Sequence, residues 1–118
     1  MLRKDALGQR GEDAACLFLS KQGHEIIARN IRFSSLEIDI ISRFNKQIHI
    51  IEVKTRASSL YGTASDALNQ QKIKNMKKAA VLYSSQEKVS LERITLGFIA
   101  IDYIDNLANI KYYRDILG

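Results

Sequence analysis

Apolar and polar positions along this chain follow two rhythms, and their alternation marks out its elements. Over residues 5–22, Leu7, Gly11, Ala14, Ala15, Phe18 and Leu19 recur at three- and four-residue spacing, which predicts an amphipathic helix. Asp5 suits its N-cap and Gly23 its stop. Residues 24–33 carry the strand formers Ile26, Ile27, Ile31 and Phe33, interrupted by Arg29 and Arg32. Ser34-Ser35 turns the chain into a strand over Leu36–Ser42, and another follows over Gln47–Thr55. Short connections between the three make an antiparallel meander. A polar loop over residues 56–63 leads to a long helix over 64–85, with Ile73, Met76, Ala80 and Tyr83 inward. Residues 90–103, with Ile94, Leu96, Phe98, Ile99 and Ile101, predict a fourth strand. After a turn at Asn106, residues 108–116 predict a fifth. A helix between the third and fourth strands suits a right-handed crossover, so those two are expected to be parallel. The order is α-β-β-β-α-β-β.

The second and third strands break their own apolar pattern with charge. The run Glu37-Ile38-Asp39-Ile40-Ile41 meets Ile50-Ile51-Glu52-Val53-Lys54 across Asn45-Lys46. Asparagine tolerates the positive φ of a two-residue hairpin tip. With Asn45-Lys46 as that tip, Asp39 falls opposite Glu52 and Glu37 opposite Lys54. Cβ atoms in such pairs lie roughly 4.5–5.5 Å apart, and two opposed carboxylates need a cation or a shared proton.

Composition narrows what that pocket could serve. The chain has 118 residues, enough for one domain with one core, and shows no repeat, low-complexity tract or internal linker. Its net charge of +5 favours an acidic partner, and nucleic acid is the commonest one for a small basic domain. A single cysteine, Cys16, excludes an internal disulfide framework and a cysteine-rich zinc site. No apolar leader or membrane-length apolar run is visible, so a cytoplasmic location is expected, without membrane association.

Hard divalent cations such as Mg²⁺ or Mn²⁺ take oxygen ligands, usually one or two carboxylates with waters and substrate phosphate. Asp39 and Glu52 would supply two carboxylates, and the Val53 carbonyl a third oxygen. Lys54 would reach the same pocket, where a lysine can orient or deprotonate a water and offset charge growing on phosphate. These parts suit phosphodiester hydrolysis. Glu12 lies at the edge of the first helix's apolar stripe, where the pattern by itself favours a solvated helix glutamate over a site residue.

The spacing Asp39-x12-Glu52-x-Lys54 resembles the signature of the PD-(D/E)XK nuclease superfamily. The ordered set is more specific: Gly11-Glu12 before Ala14-Ala15, Arg29-Asn30, Glu37-Ile38-Asp39-Ile40-Ile41 and Glu52-Val53-Lys54-Thr55-Arg56. It is similar to the YraN-like family of small uncharacterised bacterial proteins, itself similar in core to archaeal Holliday-junction resolvases. The resemblance implies a restriction-endonuclease-like α/β fold, an αβββαβ core with a central mixed β-sheet flanked by helices. It implies that Asp39 and Glu52 bind metal, that Lys54 acts in catalysis, and that Glu12 completes the acidic cluster. Glu37 becomes an outer ligand or an ion-pair partner of Lys54. Two departures stand out: Leu36 where the family usually has glycine, and Thr95 where it often has an acid.

Other chemistry-bearing residues read as structural. His24 and His49 lack zinc-motif spacing, and His49 projects opposite to Glu52. Cys16 suits a core position, and Ser58 and Ser59 have no base in triad order. Gln70, Gln71 and most of Lys72, Lys74, Lys77 and Lys78 suit a solvated helix face, while Arg56, Lys72 and Lys74 are candidates for nucleic-acid contact. The expectation is a metal-dependent endonuclease acting on DNA, with branched DNA within its scope. The rival is a module with the same fold that grips nucleic acid or protein without cutting. Homodimer formation is a further expectation.

Overall fold

The computed structural model describes residues 5–57 and 62–118, so residues 58–61 of the predicted polar loop, with Ser58 and Ser59, lie outside the described residues. Helix α1 spans Ala6–Lys21 and strands β1, β2 and β3 span Glu25–Phe33, Leu36–Phe44 and Gln47–Arg56. A 3-10 turn, Ala64–Ala67, precedes helix α2, Gln70–Glu87; a second, Leu91–Arg93, precedes β4, Ile94–Ile104, and β5 is Leu107–Tyr113. One five-stranded sheet results, in the order β1-β2-β3-β4-β5. All neighbours are antiparallel except β3 and β4, which the α2 crossover makes parallel. The predicted α/β class and element order are both present.

Turn chemistry sets the register. Asn45 and Lys46 have φ of 55° and 66°, as do Asp105 and Asn106 at 51° and 64°, the positive pair that a two-residue hairpin tip demands. The β2–β3 ladder accordingly runs from Phe44–Gln47 to Ile40–Ile51. Strand alternation then sends neighbouring isoleucines to opposite faces. Ile51, with Ile40, Ile99 and Ile101, packs under Ala15 and Leu19 of α1. Ile50, with Ile41, Ile48 and Leu96, packs under Met76, Ala79 and Tyr83 of α2. The sheet is thus covered by one helix on each face.

Two local features differ from the sequence reading. The predicted helix over 64–85 is broken, because Leu68 is extended and Asn69 starts a new helix by accepting the Lys72 N–H at 2.9 Å. In β1, Asn30 takes φ of 52° between the pairs Arg29–Ile40 and Ile31–Ile38, while the register of the ladder to β2 shifts earlier, between Ile26 and Ala28. Among the described residues no helix is long and apolar enough to cross a membrane.

Candidate active site

The β2–β3 ladder stops one residue short of Asp39. Its carboxylate replaces the missing rung: the Val53 N–H donates to Asp39 Oδ2 at 2.8 Å. Asp39 is buried, at 3% exposure. Where the strands part, a cavity of about 420 Å³ opens on the α2 side, lined by Glu37, Asp39, Glu52, Lys72 and Asn75 among others. Lys72 reaches it because it shares a helix face with buried Met76, one turn on. Its Nζ donates to Glu52 Oε1 at 3.0 Å, and the Glu52 side chain is 17% exposed.

A second cavity, of about 250 Å³, lies on the α1 side and is bordered by Asp5, Glu12, Val53, Lys54 and Thr55. Glu12 is 1% exposed, aligned with Ala15 and Leu19 on the buried stripe of α1. The Asn30 side-chain amide donates to Glu12 Oε1 at 2.8 Å and Arg29 at 3.3 Å; Arg29 also bonds Asp13 at 2.7 Å. That last bond holds the Asp13 carboxyl below its ordinary range. Gly11 allows this approach. A Cβ there would lie 1.8 Å from Thr55 Oγ1 and 2.9 Å from Thr55 Cβ, so only glycine lets α1 sit this close to β3.

The structure therefore distributes the predicted residues over two cavities, with Val53 bordering the smaller one. Asp39, Glu52 and Glu37 share the larger one, and Glu12 and Lys54 the smaller. The ladder has ended before Glu37, which stands level with Arg32 of β1 instead of facing Lys54. Among the described residues no group of three or more His, Cys, Asp or Glu side chains gathers at metal-binding distance. The carboxylates of Asp39 and Glu52 lining one cavity still supply oxygens of the kind a hard dication takes, while Val53 borders the other cavity. A carboxylate has about four lone-pair sites, so the Val53 bond does not exhaust Asp39.

Of the candidate nucleic-acid contacts, Lys72 is the partner of Glu52, Lys74 is exposed on α2, and Arg56 is half-buried at the end of β3 beside Asp102. Thr95 stands level with His49, while Glu52 stands level with Phe98, three residues along β4. An acid at 95 would thus lie about 10 Å from the level of the pair. Leu36 packs against the α2-side core and lines the larger cavity.

Two features escaped the sequence reading. Asn30 could have been marked by its tolerance of positive φ, but nothing local ties it to Glu12. The histidines, distant in sequence, meet beneath α1: their ring centroids are 5.0 Å apart, and His24 stacks on Phe44 at 4.6 Å. His24 Nδ1 shares a 2.8 Å hydrogen bond with Ser42 Oγ. Burial, followed by the neighbouring His49, pushes His24 down to about 4, and burial lowers His49 as well. Cys16 sits half-buried, with its thiol pushed up by burial, which suits a packing role.

The fold and cavity define an α/β domain with an acidic pocket where two strands part. The chain belongs to Uncharacterised protein family UPF0102, which it matches over residues 11–104. Similar curated relatives include the UPF0102 protein of Carboxydothermus hydrogenoformans, 30% identical over 116 residues, covering 98% of each chain. The UPF0102 protein of Syntrophomonas wolfei is 33% identical, covering 90% of this chain and 92% of its own. That of Caldicellulosiruptor bescii is 37% identical, covering 92% and 94%.

Proposed function

We propose that this protein is a metal-dependent nuclease of the PD-(D/E)XK type, hydrolysing DNA phosphodiester bonds with Mg²⁺ or Mn²⁺. The observation that carries the reading is the pair Asp39 and Glu52 lining one cavity, with Lys54 two residues beyond Glu52. Asp39 and Glu52, with the Val53 carbonyl, would hold the cation, which when bound supplies Lewis-acid polarisation of phosphate and water. Asp39 is fixed for this by the Val53 N–H. Lys54, exposed at the strand end, would orient or deprotonate the attacking water and offset charge on the phosphate. Glu12, braced by Asn30 and Arg29, would take up waters or metal from the α1 side. Branched DNA is the first substrate to examine, on the likeness to resolvases.

The test is cleavage of linear, nicked and four-way DNA in Mg²⁺ or Mn²⁺ by wild type, Asp39→Ala and Lys54→Ala. Cleavage by wild type alone is expected. A folded wild type that cuts none of the substrates overturns the catalytic reading. The second reading, a grip without cutting, is favoured by the net charge of +5 with no acid at Thr95. It requires salt-sensitive DNA binding that survives Asp39→Ala.

A further inference from the structure

Among the described residues that line the larger cavity, Lys72 carries a positive charge. Lys72 comes from α2, on the far side of the crossover from Glu52, and its ammonium is 3.0 Å from the carboxylate expected to take a metal. A lysine packed only for stability would be expected to snorkel its head to bulk water. This one is 40% exposed and turns its head onto Glu52 inside the cavity. Among the described lining residues the charge-bearing side chains are Glu37, Asp39, Glu52 and Lys72, a formal charge of −2. In that state it repels a phosphodiester. A dication brings it to neutrality, and without Lys72 a charge of −1 would remain even then.

We propose that Lys72 is an exchangeable counter-ion that couples metal uptake to DNA binding. With no dication present, Lys72 holds Glu52. A dication between Asp39 and Glu52 competes for the same carboxylate oxygen, and the released ammonium turns to the phosphate of the bound strand. Lys72 is thus a positioning residue for substrate, and its pairing with Glu52 sets how much dication is needed. The inference rests on the metal-binding reading above.

The experiment is a calorimetric Mn²⁺ titration of wild type and Lys72→Met, together with binding of a DNA duplex in Ca²⁺, an ion chosen to hold the complex without turnover. Lys72→Met is expected to bind Mn²⁺ about fivefold tighter, the scale of one partly exposed ion pair. It should also lose the strengthening of DNA binding that Ca²⁺ gives wild type. Unchanged or weaker Mn²⁺ affinity in the variant overturns the role of Lys72 while leaving the metal site standing. No Mn²⁺ binding by either protein overturns both. Amine-reactive footprinting of wild type is an independent measurement that needs no variant. Labelling of Lys72 is expected to rise about twofold on adding Mg²⁺ while Lys77 and Lys78 stay constant, and a constant Lys72 overturns the proposal.

Discussion

Asp39 is anchored to β3 through its side chain: the Val53 N–H donates to its Oδ2 at 2.8 Å where the β2–β3 ladder has already ended. The carboxylate therefore does a structural task and, in the proposed function, a chemical one. Two substitutions separate them. Asp39→Asn keeps an oxygen acceptor for Val53 and should fold with little loss of stability, yet lose Mn²⁺ binding. Asp39→Ala leaves the part-buried Val53 N–H without this acceptor and should cost about 1 kcal/mol as well. Urea unfolding alongside Mn²⁺ titration checks both, and equal stability of the two variants would contradict the anchoring role.

Lys54 borders the smaller cavity and has no place among the oxygen ligands. Lys54→Ala should reduce cleavage by about 10²-fold or more, the scale of a lost general acid–base group, while leaving Mn²⁺ affinity within about threefold of wild type. A parallel loss of metal affinity would move Lys54 from chemistry to assembly of the site.

Gly11 sets the distance between α1 and β3. Gly11→Ala forces its new methyl onto Thr55 and should destabilise by about 1–3 kcal/mol. Thr55→Ala removes the closest atom of the clash, Oγ1, so the double variant should recover part of the loss. A double-mutant cycle with no coupling would show that the close approach is not what requires glycine.

Asn30 does two things at once. It occupies φ of 52° and donates to Glu12 at 2.8 Å. Asn30→Gly keeps the backbone and loses the bond, whereas Asn30→Ala loses both. Alanine should be the worse of the two by about 1 kcal/mol in thermal unfolding, because left-handed backbone penalises a Cβ. Equal losses would place the whole cost on the Glu12 bond.

His24 is held down to about 4 from the ordinary 6.5, and His49 lies below its ordinary value too. Because both folded-state values are depressed, the unfolded chain takes up protons first as pH falls. The stability carried by neutral His24 is complete above about pH 6.5 and drains away toward about pH 4, by up to about 1.4 kcal/mol per pH unit, and His49 acts in the same direction. Urea midpoints measured across that window should fall, and His24→Phe should flatten the dependence. A wild-type midpoint indifferent to pH between about 5 and 7 would contradict this.

Short-range rules reached most of the fold. The Asn45-Lys46 tip is decided by the two residues that must take positive φ, and it alone sets the register that carries Asp39 toward Glu52. Asp5 capping α1 is equally local, accepting the Gly8 N–H at 2.7 Å. The break before α2 was hidden because Ala64–Ala67 fits a helical pattern, and the competing cap at Asn69 shows only as one hydrogen bond. Residues far apart in sequence were the harder part of the site. No periodicity relates Lys72 to Glu52 or Asn30 to Glu12. Glu12 itself was separable from an ordinary helix glutamate only through the family likeness. The β2–β3 ladder ends before Asp39, and Asn30 takes a positive φ, neither of which an ideal alternation of faces contains.

The most direct measurement of the central claim is a crystal soaked in Mn²⁺ and recorded at the manganese absorption edge. An anomalous peak between the carboxylates of Asp39 and Glu52, absent from Asp39→Asn crystals, is the predicted result. A well-ordered site with no peak at saturating Mn²⁺, or a peak that survives in Asp39→Asn, would contradict the assignment.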